Sequence, residues 1–260
     1  MAPLHSRTTP LKPLKWYKNL ATTKGRLEAE AFLVEGDRGI RQIISLHPDE
    51  IVEILTIEKP PALYHDYSIR FVTERQFHSI SSTKTPQGIM AVVHLPRDMY
   101  SEHLPKNIGT KTLLLEDIQD PGNVGSLIRT AAAFNFSGVI LTEKSADPLS
   151  PKCVQSTAGT ILSVWLRRTS HYLKLTEALK KDGYSLVATE LKGADNLSIL
   201  CRQDKLLLAL GNEAAGLSQA MLNISDYRLR IPTIQEKAES LNVAACGAIC
   251  MYLSSQKILG

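Results

Sequence analysis

No stretch of this 260-residue sequence stays apolar for the ~18 residues a membrane-spanning helix needs, and no signal-peptide core opens it. A soluble, cytoplasmic protein without a membrane partner is expected. Cysteine is scarce. Cys153, Cys201, Cys246 and Cys250 form no C-x-x-C pair and lie in apolar surroundings, which argues against a disulfide framework or a zinc ligand set and predicts reduced, buried thiols. Seven histidines show no H-E-x-x-H spacing, so no metal is expected. The G-x-G-x-x-G turn of dinucleotide dehydrogenases and the Gly-Lys-Ser/Thr ending of a P-loop are both missing. There is no internal repeat and no low-complexity tract.

Acidic residues are missing from the opening stretch, where Arg7, Lys12, Lys15, Lys18, Lys24 and Arg26 all precede Glu28. The net charge of +4 is therefore unevenly spread. Trp16 and Tyr17 sit among these cations. Aromatic rings between cations suit RNA, because rings stack on bases while cations hold phosphates. Lys12, Lys15, Trp16, Lys18, Lys24 and Arg26 are thus candidate RNA contacts; a plain basic tail is the ordinary alternative.

Hydrophobic content of 43% and charge of 22% belong to a globular chain that can hold one large domain or two moderate ones. From about residue 24 to 93, strand signals at 32–34, 51–57, 69–72 and 88–94 alternate with helical ones at 25–30, 37–46 and 74–79. Residues 95–111 contain Pro96, Pro105 and Gly109 without apolar periodicity and read as a linker. Beyond them, near-continuous apolar strands at 112–116, 138–142, 163–166, 185–189, 205–210 and 227–231 alternate with helices near 124–134, 152–160, 173–182, 218–221 and 241–256. This predicts an α/β fold whose parallel sheet is flanked by helices. The expected domains are 1–95, a linker at 96–111, and 112–260.

Four strings stand where strands deliver loops. The first, 117–129, carries Asn123, Gly125 and Arg129. The second, 210–216, carries Gly211, Asn212, Glu213 and Gly216. The third ends in Ile231 and Pro232, and the fourth holds Ser240, Leu241 and Asn242. Loops at strand ends are where α/β sheets bind ligands. Each string also has an ordinary reading: Asn123 as a helix cap with Arg129 solvated, Glu213 beside a helix N-terminus, and Ser240 as the N-cap of the last helix. That helix is apolar nearly all round, which suits burial against the sheet or a second subunit.

Taken in order, Asn123-x-Gly125 with Arg129, Gly211-Asn212-Glu213 with Gly216, and Ile231-Pro232 coupled to Ser240-Leu241-Asn242 resemble the motifs of the SpoU (TrmH) family of RNA 2′-O-ribose methyltransferases, in the SPOUT superfamily. The resemblance spans about residues 112–256. Phe32-Leu-Val-Glu-Gly36 and residues 85–93 resemble the family's appended L30e-like RNA-binding domain. Between Pro232 and Ser240 the chain departs from the family pattern, being one residue longer and lacking its usual glycine.

The resemblance implies a deep trefoil knot, S-adenosyl-L-methionine bound within it, and a homodimer built on the last helix. By position, the cofactor contacts would be Thr189, Gly193, Gly211, Asn212, Gly216, Ile231, Pro232 and Leu241. The implied reaction is methyl transfer to a ribose 2′-hydroxyl, with large-subunit (23S) ribosomal RNA favoured as the target. A transfer-RNA methyltransferase, or an RNA-binding assembly factor retaining the cofactor site without catalysis, stands as the alternative. A guanidinium, with a pKa above ~12, is a poor base, so Arg129 is expected to clamp an RNA phosphate and position the hydroxyl. Asn123 and Asn242 would orient the ribose or Arg129, Glu213 would hold Arg129 or Asn123, and Ser240 is a candidate proton relay.

Overall fold

The first set of apolar strands pairs into one sheet. The structure, a computed structural model, describes residues 12–234, 236–237 and 240–256. Its N-terminal part runs α1 (Leu14–Asn19), α2 (Thr23–Ala29), β1 (Ala31–Glu35), α3 (Asp37–Leu46), β2 (Ile51–Thr56), β3 (Ile69–Phe71), α4 (Glu74–Ile80) and β4 (Ile89–His94). The strand order is β1-β4-β2-β3, with β4 antiparallel to β1 and β2, and β3 parallel to β2. Helix α1 lies in the basic opening stretch, where the sequence carries no clear helical period. It is held by tertiary contacts: Tyr17 and Leu20 enter a core with Leu55, Phe77 and Met90. The Tyr17 hydroxyl donates to Glu53 Oε2 at 2.5 Å.

Beyond Leu95 come β5 (Lys111–Leu115), α5 (Pro121–Ala133), β6 (Gly138–Thr142), α6 (Pro151–Thr157), β7 (Trp165–Thr169) and α7 (Tyr172–Lys181). They are followed by β8 (Ser185–Thr189), β9 (Leu206–Leu210), α8 (Gln219–Ile224), β10 (Tyr227–Leu229) and α9 (Val243–Ser255). Among the described residues these strands form a six-stranded sheet, β10-β8-β9-β5-β6-β7, in which every neighbouring pair is parallel. Strands β6 and β9 are buried along their whole length, as strands of a sheet covered on both faces must be. The expected parallel α/β architecture is present. From β5 the chain steps outward to β6 and β7, then returns to the other side of β5 through β8 and β9. The order therefore reverses between β5 and β9, and such a switch point opens a crevice at the C-terminal strand ends.

The chain divides into two compact units. Residues up to Leu95 together with Asp147–Leu162 form one, and Pro96–Ala146 with the residues from Ser163 onward form the other. Helix α6 thus packs against β1 within the first unit, although it follows β6 in sequence. Residues 96–110 hold no helix or strand, yet they are tied into the second unit. Met99 is buried and its carbonyl accepts the Arg168 amide at 2.7 Å, while the Ile108 carbonyl accepts Trp165 Nε1 at 3.1 Å.

Helix α5 stops at Asn135, which adopts the left-handed conformation (φ 59°) that asparagine tolerates. Helix α9 packs against α5 and against the 3₁₀ helix Leu197–Arg202. Gly247 permits this approach, since a Cβ there would lie 2.4 Å from Leu127 Cδ2 and 2.8 Å from Leu210 Cδ1. The helix is not buried all round: Ile249 and Tyr252 face solvent. Cys153 and Cys250 are buried free thiols, whereas Cys201 and Cys246 are half-buried. No helix among the described residues is long and apolar enough to cross a membrane.

Candidate active site

Three strand-end loops meet at the switch point. After β5, Asp120 caps α5 by accepting the Gly122 amide at 2.9 Å, and Pro121 supplies a first-turn residue that has no amide proton to satisfy. Asn123 is therefore not the cap, and its side chain is free to face the neighbouring loops. Its Nδ2 donates to Glu213 Oε1 at 2.9 Å, and its Oδ1 accepts Asn242 Nδ2 at 3.1 Å. Glu213 Oε2 makes a long 3.5 Å contact with the Gln119 amide.

The direction of this relay is fixed at both ends. Asn242 Oδ1 accepts the amides of Ala244 and Ala245 at 2.9 and 3.3 Å, so its Nδ2 must point to Asn123. A carboxylate can only accept, so Asn123 must turn its Nδ2 to Glu213. These bonds bear on two expectations, correcting the first and choosing between the two partners expected of Glu213 in the second. Asn242, not Ser240, caps the last helix, which starts at Val243 rather than 241; Ser240 is exposed before it. Glu213 holds Asn123 and not Arg129. Arg129 is exposed on α5 and has no hydrogen bond or ion pair with Asn123, Glu213, Asn242 or any other described residue.

The loop after β9 is a closed turn. Asn212 and Gly216 exchange backbone hydrogen bonds of 3.1 and 2.9 Å. Asn212 Oδ1 accepts the Ala214 and Ala215 amides, and its Nδ2 donates to the Asp117 carbonyl at 2.8 Å. Asp117 sits at φ 58°, a conformation that costs energy for a non-glycine residue. Thr142 Oγ1 supports it by accepting the Asp117 amide at 2.8 Å and donating to Oδ1 at 2.7 Å.

Beside this loop lies a cavity of about 320 Å³, at the lower end of the range for small-molecule sites. Thr189, Gly211, Asn212, Gly216, Ile231 and Leu241 line it, as expected of cofactor contacts. Gly193 and Pro232 do not. Gly193 packs on the β10 backbone, where a Cβ would come within 2.6 Å of the Arg228 oxygen, and Pro232 is exposed. Leu217, Leu229, Val243 and Cys246 also line it and were not singled out from sequence. Each lies within four residues of a motif residue, the one signal that could have marked them.

The lining suits S-adenosylmethionine. Apolar walls of Leu217, Leu229 and Val243 match a nucleoside ring, main-chain groups of three loops offer donors and acceptors, and two carboxylates (Glu190, Glu213) and two cations (Lys192, Arg230) suit a ligand that carries both signs of charge. Gly216, at φ 71°, leaves open space where a Cβ would stand. On the first turn of α9, the Cys246 thiol has its pKa lowered from the ordinary value by a hydrogen bond from Cys250, against the opposing effect of burial. Among the described residues no group of three or more His, Cys, Asp or Glu could hold a metal ion.

The candidate RNA contacts separate by environment. Lys15, Lys18 and Lys24 are exposed, and the Lys12 ammonium lies 5.6 Å from the Trp16 ring centre. Trp16 is partly buried against the N-terminal core and Tyr17 is wholly buried. Arg26 overturns its expectation. It is 2% exposed, ion-paired with Asp147 and bonded to the Leu20 carbonyl at 3.0 Å, so it is a structural cation. Arg7 lies outside the described residues, as do Gln235, Ala238 and Glu239 of the 233–239 loop.

The SpoU rRNA Methylase family model matches residues 110–252, more than half of the chain, and an MRM3-like substrate binding domain matches residues 12–91. The 23S rRNA (guanosine(2553)-2′-O)-methyltransferase of Bacillus subtilis is 31% identical over 92% of this chain and 94% of its own length. Among solved structures, the SpoU methyltransferase AviRb of Streptomyces viridochromogenes in complex with AdoMet aligns at a TM-score of 0.80 and 26% identity, over 93% of this chain and 96% of that one. A putative RNA methyltransferase of the TrmH family from Porphyromonas gingivalis aligns at 0.77 and 29%, over 95% and 98%.

Proposed function

The chain belongs to the SpoU rRNA methylase family and is an S-adenosylmethionine-dependent RNA methyltransferase, and on that premise we propose that it methylates a ribose 2′-hydroxyl of 23S ribosomal RNA. The target is supported by the Bacillus subtilis relative, whose name gives that RNA, and by the substrate-binding match at residues 12–91. The observation that carries the site is the relay Asn242–Asn123–Glu213, whose Glu213 end lines the cavity at the sheet's switch point. The cytoplasm is the proposed compartment.

When bound, the cofactor supplies an electrophilic methyl on a sulfonium, so the protein's work is alignment and relief of charge on the attacking oxygen. Arg129, exposed and without a partner among the described residues, offers a planar pair of donors to the phosphate beside the target ribose. The same cation lowers the energy of negative charge developing on the 2′-oxygen. Asn123 stands on the same helix, six residues before it. Held between Glu213 and Asn242, it cannot swing with solvent and so orients the ribose. Glu213 has both oxygens engaged and acts as the holder of Asn123. Ser240, exposed at the cavity rim, is the proposed proton relay. Alignment of this kind supplies ~7–11 kcal/mol of barrier lowering when geometry is right.

The cofactor is assigned to Thr189, Gly211, Asn212, Gly216, Ile231 and Leu241, which line the cavity. A trefoil knot in the C-terminal part is supported by α9 packing on the 3₁₀ helix that belongs to the β8–β9 connection. The exposed Ile249 and Tyr252 of α9 support a homodimer on that helix. The first compact unit is the proposed L30e-like RNA-binding domain and the second the catalytic one, which takes in residues 96–111 in place of the expected linker, with Lys12, Lys15, Lys18 and Lys24 gripping RNA. Incubation with methyl-labelled cofactor and purified ribosomal or transfer RNA tests this reading. Alkali-resistant label in 23S RNA is expected; label confined to transfer RNA, or none, overturns the target or the activity.

A further inference from the structure

Glu116, the residue after β5, is a buried carboxylate that none of the motifs includes; it is 3% exposed. Its Oε1 accepts the Tyr172 hydroxyl at 2.6 Å and its Oε2 accepts the Ser218 amide at 2.8 Å. Ser218 directly follows the 211–217 loop that walls the cofactor cavity, and Leu217 itself lines that cavity. The other end of the same loop is tied to the next residue, since Asn212 Nδ2 donates to the Asp117 carbonyl. Two consecutive residues at the end of β5 therefore hold both ends of the loop that carries Glu213.

We propose that Glu116 is a positioning residue for cofactor binding: by accepting the Ser218 amide it sets the shape of the 211–217 wall and, through Glu213, the alignment of Asn123. The inference rests on the reading of this cavity as the S-adenosylmethionine site. The chemistry demands an acceptor at this position. Ser218 N–H can only donate, and the donor is partly buried, so removing its acceptor costs more than the net worth of the bond. Tyr172 can reverse its role. Its hydroxyl donates to the carboxylate now, and burial followed by this bond pushes its pKa up to about 12. A neutral amide in place of the carboxylate would keep its oxygen on Ser218 and donate its NH₂ to the Tyr172 oxygen. An apolar side chain of similar volume would satisfy neither.

The test compares Glu116→Gln, Glu116→Leu and Tyr172→Phe. S-adenosylmethionine affinity is measured by calorimetry, and hydrogen exchange of amides 211–218 is followed in the cofactor-free protein. Glu116→Leu should weaken affinity by about tenfold or more and speed exchange at those amides. Glu116→Gln should stay within about threefold of the parent on both readouts, because the amide keeps an acceptor on Ser218. If Glu116→Leu does not fold, Tyr172→Phe carries the test, with faster exchange at Ser218 and a smaller loss of affinity. Unchanged affinity and unchanged exchange at 211–218 in the folded variants, even with a lowered melting temperature, overturn the proposal. So does an amide variant as impaired as the leucine one. A parent protein that binds no S-adenosylmethionine would refute the cavity's assignment instead, while the exchange measurement still decides whether Glu116 holds the loop.

Discussion

Asn123 and Glu213, ninety positions apart in sequence, are joined by a 2.9 Å hydrogen bond from amide to carboxylate. The bond depends on opposite chemistry at its two ends, which makes it testable by exchange. Asn123→Asp sets two carboxylates face to face and should reduce methyl transfer by about 30- to 150-fold, the equivalent of losing a charged hydrogen bond. Adding Glu213→Gln to that variant restores a donor opposite an acceptor and should recover part of the rate. Single-turnover methylation of ribosomal RNA measures both, and a double variant no better than the single one removes the pairing from the mechanism.

Arg129 makes no contact with that pair, which separates its role from theirs. Arg129→Lys keeps the charge but loses the bidentate fork, and turnover should fall by about 10²-fold or more. Cofactor affinity should stay nearly constant, because Arg129 does not line the cavity. Turnover equal to the parent's would rule out a phosphate clamp.

Arg26 and the lysines of the opening segment should behave oppositely. Arg26→Ala leaves Asp147 without its buried cation and should cost about 3–5 kcal/mol of stability in a denaturant titration. RNA affinity, measured well below the unfolding transition, should be unchanged. The charge reversals Lys15→Glu and Lys18→Glu should leave stability nearly intact, weaken RNA binding and flatten its salt dependence. Loss of stability from the lysine variants would place them in the packing instead.

Alkaline pH should weaken the fold through its phenols. Burial, reinforced by hydrogen bonds to Glu53 and Glu116 respectively, raises Tyr17 and Tyr172 from 10.0 to about 12. The folded state thus favours the neutral phenol. That stabilisation is fully present below pH 10.0, the ordinary value, and is lost as pH rises through about 12. Unfolding free energy should decline across that window, with the phenolates of Tyr17 and Tyr172 appearing late in the absorbance titration of the native protein, alongside Tyr64, Tyr67 and Tyr184, which burial also raises. Phenylalanine at both positions should flatten the decline.

Cys246 should report cavity occupancy. The bond from the Cys250 thiol lowers its pKa, so alkylation by iodoacetamide should reach its plateau at a lower pH than for an ordinary thiol. The hydrogen bond to Cys246, together with burial, pushes Cys250 up, and that thiol should resist. S-adenosylmethionine should protect Cys246, read by peptide mass analysis. Equal labelling with and without the cofactor would remove the sulfur from the cavity wall.

Helices and strands were legible wherever a local period spoke. Helix α3 and strands β6 and β8 occupy the residues expected from pattern. Helix α1 was illegible because its period is weak and a distant acceptor, Glu53, holds it. The Ser240 cap was misread for a related reason. Serine and asparagine both cap helices, and the choice of Asn242 depends on Asn123, which lies 119 positions away.

By itself, the amino-acid order determined the alternation of apolar strands and helices, the loops that carry polar residues, and the motifs that mark the family. These are short-range properties, set by side-chain period and turn chemistry over a few residues. Only the tertiary structure decided that Glu213 grips Asn123 and not Arg129, that Arg26 turns inward to Asp147, and that Glu116 holds a loop roughly a hundred positions downstream. Each of those outcomes is a hydrogen-bonding partner chosen across the fold, and a donor or acceptor carries no mark in the chain of which partner will reach it.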